Sequence, residues 1–204
     1  MTGSLFKYLF LAGVIASETI RAPHRRRHKR EWKAGELQAH MRGVDIALDM
    51  IAFVGMEVIP LIYVFARWFD FADYSLPAWT GWLGALSFAG GLWVLARAHA
   101  GLGRNWSPTL QTRADHALVE SGVYSYVRHP IYAAIWLMVI GQALLLHNWI
   151  AGLAGIDLFL PVYLVRVPRE EQMMLAQFGD AYRAYMARVP RVIPLGKAGR
   201  RSER

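Results

Sequence analysis

The sequence predicts an all-α integral membrane protein with about five transmembrane helices, the last two a tight hairpin, plus a cytoplasmic loop and a C-terminal amphipathic helix. Three observations carry that prediction. Of 204 residues, 55% are hydrophobic and only 19% charged, more apolar side chain than a soluble domain of this length needs for its core. Mostly apolar stretches recur at roughly 5–20, 46–69, 78–98, 131–146 and 149–165. The cations gather between alternate stretches, with eight Lys/Arg in 21–42, four in 97–128 and nine from 166 to the end. If those regions share the cytoplasmic side, the N-terminus lies outside and the C-terminus in the cytoplasm, in a cell or inner membrane if prokaryotic. The connector 70–77, with two acids and no base, then lies on the opposite side.

The first stretch is short for a crossing and is followed by the basic run PHRRRHKREW, read as an orientation signal and a contact to anionic headgroups. Those cations come after the apolar stretch, and Glu18 sits near its end, so a cleaved signal peptide does not fit. The second and third stretches are each long enough to cross a hydrocarbon core of about 30 Å. Asp45, Asp49 and Glu57 share one face of the second, where carboxylates turn to protein or water. Two readings stand: headgroup-level and interhelical partners, or the wall of a polar cavity. The third stretch (Gly81, Gly84, Ala85, Ala89, Gly90, Gly91) and the fifth (Ala151, Gly152, Ala154, Gly155) are rich in small residues that let helices approach closely. Only His147 and Asn148 separate the fourth stretch from the fifth, which reads as a tight hairpin with a wet tip. Trp79, Trp82, Trp106 and Trp149 fall near span ends, where indole rings favour the interface.

Several chemistries are excluded early. Cysteine is absent, which removes disulfides, thiolate metal sites and a cysteine nucleophile. The net charge of +8 is accounted for by topology, so nucleic acid is not an expected partner. The histidines are dispersed, and the one HxxxH pair, His24 and His28, lies among cations, so no metal is expected. GLGRNW lacks the third glycine and the preceding strand of a dinucleotide fingerprint, and no serine sits in an elbow motif.

From Gly101 the chain becomes polar and punctuated by Gly and Pro, and a connector of about 30 residues in a compact protein usually carries function. Beyond the hairpin, Met174, Phe178, Tyr182 and Tyr185 follow near-helical spacing, with Glu170 and Glu171 ahead of them and Pro190 and Pro194 behind. His116, His129, Tyr124, Tyr132, Glu170 and Arg166 thus collect at one membrane boundary. A carboxylate beside tyrosine rings suits a cationic cofactor such as a sulfonium, through Coulomb attraction and cation–π contact. Arg166 and Glu170 at i,i+4 are equally a plain helix ion pair worth about 0.3–0.5 kcal/mol, and His129 before Pro130 is equally a helix-start residue.

DHALVESGVYSYVRHPIY, followed by a helical hairpin and EEQMMLAQFGDAYRAYMARVPRVIP, resembles the isoprenylcysteine carboxyl methyltransferase family of integral-membrane methyltransferases and the related phospholipid methyltransferases. The resemblance covers roughly 101–195. It implies methyl transfer from S-adenosylmethionine, leaving S-adenosylhomocysteine, to a lipophilic acceptor that reaches a cytoplasm-facing pocket from the bilayer. Carried over by position, the cofactor contacts it implies are His116, Ala117, Leu118, Val119, Tyr124, His129, Pro130, Ile131, Tyr132 and Glu170, with Gln111 joining if a short gap is allowed. Arg166 matches the substrate-contacting arginine, and Arg166 and Glu170 are the catalytic candidates. On this reading residues 1–100 are N-terminal transmembrane helices with a basic cytoplasmic loop at 21–43. Residues 101–204 are the methyltransferase region: polar loop 101–130, hairpin 131–166, and C-terminal helix 169–190 with its tail.

The acceptor stays open between a carboxylate or thiol, which needs no dedicated base when ionised, and a phospholipid amine, for which Glu171, His129 and Tyr185 are the geometric candidates for a base. A non-enzymatic transport or assembly protein on the same scaffold is the third reading.

Overall fold

The computed structural model describes residues 2–33, 43–103 and 118–194. Among them the regular elements are helices: α1 (Thr2–Lys33), α2 (Gly43–Phe53), α3 (Ile59–Ala66), α4 (Ala78–Leu102), α5 (Pro130–Leu145), α6 (Ala154–Phe178) and α7 (Asp180–Arg188). Three helical segments, Gly3–Arg27, Gly43–Ala66 and Ala78–Leu102, are long and apolar enough to cross a membrane. The segment Pro130–Leu145 is apolar but shorter.

The second span is interrupted. A π turn at Val54–Val58 links α2 to α3, and Gly55 within it lies so close to α6 that any Cβ there would collide with the Ala154 carbonyl. The Gly55 carbonyl accepts a hydrogen bond from buried Gln142 at 3.0 Å, and the same amide donates to the Ala151 carbonyl at 2.8 Å. Glycine also sets the approach of α4 to α5, because a methyl on Gly141 would meet the Gly84 carbonyl at 2.8 Å. Phe6 and Phe10 of α1, Phe88 and Leu95 of α4, and Met138 of α5 fill the core between these helices.

Four sequence expectations need correction. The basic segment from Arg21 is a continuation of α1 as far as Lys33 rather than a loop, because it holds helix-forming Arg and Lys and no glycine, and Pro23 is accommodated inside it. The fifth stretch does not begin as helix at Trp149; α6 starts at Ala154, after the turn that Asn148 organises. That tip is not wet at Asn148, which is fully buried: its oxygen accepts from the amides of Ile150 and Ala151, and its nitrogen donates to the Phe69 carbonyl and to Asp73, each at 2.7 Å. Finally, no separate helix runs over 169–190. α6 carries straight through 169–178, and Gly179, at φ +52°, breaks the chain into α7.

Candidate active site

α6 and α7 reach the end of the bundle where α1 and α4 terminate, and the segment 118–129 crosses beneath them. That segment is held by backbone pairing: the amides of Arg128 and His129 donate to the carbonyls of Pro190 and Arg191 at 2.8 and 2.9 Å. The Tyr185 hydroxyl donates to the Tyr124 carbonyl at 2.6 Å, so α7 is tied to the same segment. Together these elements enclose a cavity of about 580 Å³, within the range of small-molecule and cofactor sites.

Nine of the eleven residues expected from the sequence line this cavity: Leu118, Val119, Tyr124, His129, Pro130, Ile131, Tyr132, Arg166 and Glu170. His116 and Ala117 lie outside the described residues, as does Gln111. The Tyr132 hydroxyl donates to Glu170 at 2.5 Å. His129 sits between two acids, with Nδ1 3.7 Å from Glu170 and Nε2 3.3 Å from Glu171. Arg166 Nε lies 4.0 Å from Glu170, but its closer partner is Asp49 of α2, an ion pair that separation along the chain made invisible to sequence reasoning. Asp45 forms the next rung of the same ladder, 3.4 Å from Arg169 and itself buried.

The adjacent acids are shifted in opposite directions. Burial lifts the Glu170 carboxyl above its ordinary range, opposed by the His129 charge, the Tyr132 hydrogen bond and Arg166. Burial pushes on Glu171 too, but hydrogen bonds from His129, Arg191 and Arg128 outweigh it and hold that carboxyl well below the usual range. Arg128 and Arg191 each approach Glu171 at 2.7 Å. A carboxylate so firmly ionised and so fully engaged is a poor proton acceptor, so Glu171 is removed from the candidate bases and becomes the residue that ties the 118–129 segment and the C-terminal strand of chain to α6. Burial likewise raises Tyr185, and Tyr182 to about 12.

The sequence did not single out Arg21, Arg25, His99, Met173, Gln177 or Tyr182 as cavity residues. For Tyr182 the signal was present in the Met174–Phe178–Tyr182–Tyr185 spacing; these side chains pack with one another and with Leu118. Both readings of the α2 carboxylates describe part of this face: Asp49 and Glu57 line the cavity, while Asp49 and Asp45 pair with Arg166 and Arg169 of α6. Its remaining wall is apolar, with Phe53, Met56, Ile135, Phe159 and Val162 running from Arg166 toward the middle of the bundle. A buried carboxylate and tyrosine rings at one end, and an apolar trough at the other with an arginine between, can hold a cationic nucleoside against an amphiphile.

Comparison with known proteins agrees with this arrangement. Residues 85–176 match the model of the isoprenylcysteine carboxyl methyltransferase (ICMT) family. The chain is 33% identical over 127 residues to the protein-S-isoprenylcysteine O-methyltransferase of Schizosaccharomyces pombe, covering 62% of this chain and 52% of that one. To the human protein of the same name it is 33% identical over 97 residues, covering 47% of this chain and 34% of that one. It thus spans about half the length, or less, of these relatives. The solved structure of a eukaryotic intramembrane Ras methyltransferase, ICMT, superposes with a TM-score of 0.50 at 24% identity, covering 74% of this chain and 50% of that chain, a likeness of fold. The matched segment, residues 85–176, holds Tyr124, His129, Tyr132, Arg166 and Glu170, and is similar in sequence to the isoprenylcysteine carboxyl methyltransferase family.

Proposed function

We propose that this protein is an integral-membrane methyltransferase that moves a methyl group from S-adenosylmethionine to a lipophilic acceptor, a carboxylate of the isoprenylcysteine kind or a thiol. The observation that carries the reading is the joining of two unlike halves in one cavity: buried Glu170, bonded by Tyr132 and beside His129, at the polar end, and an apolar trough beyond Arg166 at the other. The donor set fits the cofactor, because a buried carboxylate whose proton affinity is raised gains most from a neighbouring cation, and the rings of Tyr124 and Tyr185 offer faces to it. When bound, the cofactor supplies an electrophilic methyl on a sulfonium.

This chain's residues then have distinct tasks. Glu170 with Tyr132 and His129 holds the positive end of the cofactor, and Leu118, Val119 and Tyr124 flank it. Arg166 orients the acceptor's anionic group, and the trough takes the acceptor's apolar portion, so that the acceptor oxygen or sulfur, the methyl carbon and the leaving sulfur come into line. Transfer to the acceptor would leave the electron pair of the broken methyl–sulfur bond on the sulfur, as S-adenosylhomocysteine. Positioning and exclusion of water supply most of the rate. An ionised carboxylate or thiolate needs no base, in keeping with a site whose acids are engaged elsewhere.

The same reading places five crossings in the bilayer, with α5 and the first half of α6 as the fourth and fifth, the N-terminus outside and the cavity at the cytoplasmic face. In its support, the turn before α6 and the 67–77 connector are bonded to each other, through Tyr74 to His147 and Trp149 to Ala72, at the end of the bundle away from the cavity. Titrating S-adenosylhomocysteine into detergent-purified protein tests the proposal: saturable thermal stabilisation is expected, and none at millimolar ligand overturns it. Labelled cofactor with membrane extract then identifies the product class, since methyl esters release methanol in base and methylated amines do not.

A further inference from the structure

The arginine assigned to the acceptor already has company. Arg166 is buried on the cavity wall, its guanidinium bonded to Asp49 and 4.0 Å from Glu170. Two carboxylates thus face one guanidinium, and an incoming anion would be the third. Negative charges gathered round a single cation repel one another, so the anion enters at full strength only if one carboxylate gives way. Glu170 is held in place by the Tyr132 hydroxyl at 2.5 Å and by His129 at 3.7 Å.

Asp49 is placed to move. The two rungs between α2 and α6 differ: the Asp45 side chain, paired with Arg169, is 3% exposed, whereas that of Asp49 is 49% exposed and lines the cavity. α2 is fastened on either side of Asp49 without its help. Asp45 holds Arg169, Leu48 packs with Phe159 and Val162, and the Gly55 carbonyl accepts from Gln142. Rotation of one short side chain is therefore enough to free Arg166, with no helix displaced. Asp49 also lies outside the matched residues 85–176, so the likeness to the family gives it no role.

We propose that Asp49 is an exchangeable counter-ion: it holds Arg166 while the acceptor subsite is empty and yields it to the acceptor's anionic group. A buried guanidinium is costly to leave without a partner, so Asp49 keeps the empty site stable. Methylation removes the acceptor's negative charge; the neutral product no longer competes, and Asp49 takes Arg166 back as the product leaves. The subsite thereby selects by charge. An anionic amphiphile exchanges with Asp49, whereas a neutral one of the same shape binds through the apolar trough alone. This inference rests on the reading of Arg166 as the acceptor's arginine, but the exchange needs no cofactor and is measured apart from methyl transfer.

The test is calorimetric binding of S-farnesylthioacetate, a lipophilic carboxylate, and of its neutral methyl ester to the full chain in neutral detergent, without cofactor. Wild type is expected to bind the carboxylate more tightly than the ester. D49N keeps the shape and a hydrogen-bonding oxygen but removes the charge; it is expected to bind the carboxylate at least tenfold more tightly, and the ester less than threefold more tightly. D49E restores the charge and is expected to return both affinities to within threefold of wild type. R166Q should erase the preference for the carboxylate, and D49N/R166Q should bind as R166Q does, which assigns the effect to the pair. D45N breaks the enclosed rung and is expected to lower the melting temperature while leaving both affinities unchanged. Unchanged or weaker carboxylate binding by D49N, an equal gain for the ester, an equal gain in D45N, or a gain that survives in D49N/R166Q would each overturn the proposal; if D49N does not fold, D49S decides by the same criteria. Stabilisation of wild type by S-adenosylhomocysteine alongside such a result would remove the exchange and leave the methyltransferase reading standing.

Discussion

The two ends of the helix bundle are built on opposite principles. Where α3 turns into α4, polar groups meet one another at close range: Tyr63 donates to Asp73 at 2.7 Å, Asp73 also accepts from Asn148, and the Lys7 ammonium lies 3.8 Å over the Tyr63 ring. At the other end comparable polar groups border about 580 Å³ of open space. Close packing with satisfied hydrogen bonds makes a rigid cap, and charged groups lining a cavity make a binding site. The comparison teaches that the protein secures its helices at one end so that they can stand apart at the other. It also shows where the second end keeps its own rigidity, in the Glu171 cluster that ties the 118–129 segment to α6 and to the chain after α7.

The contrast can be broken or sharpened by substitution. Glu171→Ala is expected to give the largest effect, a loss of about 3–5 kcal/mol in thermal or denaturant unfolding, because it leaves buried Arg128 without its carboxylate. Were that variant to melt like wild type, the cavity end would have no structural anchor of its own. Arg166→Ala is expected to leave cofactor binding near wild type while turnover with labelled cofactor drops about 10²-fold or more. Proportionate loss of cofactor binding would move Arg166 from the acceptor to the cofactor.

Asn148→Ala should cost about 2–3 kcal/mol of stability, since it strips partners from buried backbone groups, with S-adenosylhomocysteine affinity unchanged. A change in that affinity would show the two ends to be coupled. Glu170→Gln and His129→Ala are each expected to weaken S-adenosylmethionine binding roughly tenfold, about 1.4 kcal/mol, by calorimetry. Wild-type affinity in the Glu170 variant would show that this carboxylate does not face the cofactor.

The smallest effect is one of pH. Because the Glu170 carboxyl is raised, acidification protonates it first and removes the partner of a sulfonium. S-adenosylmethionine should therefore lose affinity relative to neutral S-adenosylhomocysteine as pH falls, and Glu170→Gln should abolish that difference. Glu171 has the opposite sign: its depressed carboxyl contributes stability that is present above the ordinary glutamate range, about 4.3, and is lost as pH falls below it. Glu171→Gln should flatten the acid limb of the unfolding curve.

Much of this was legible in the chain. The apolar stretches, the sorting of cations and the HPIY and EE motifs placed the helices and most of the cavity-lining residues, because hydrophobic length and local spacing are properties of sequence. Boundaries were less legible. The helix beyond Arg21 was read as a loop because charge marks the end of a span but not the end of a helix, and the break at Gly179 was missed because nearby apolar spacing continues across it. Glu170 and Glu171 are adjacent and chemically identical on paper. Only folding brings Arg128 and Arg191 to Glu171 and Tyr132 to Glu170, and so gives two identical residues unlike surroundings. In the same way the pairing of Arg166 with Asp49, and the inward turn of Arg21 and Arg25, depend on which helices pack together, and residues more than a hundred positions apart carry no local record of that.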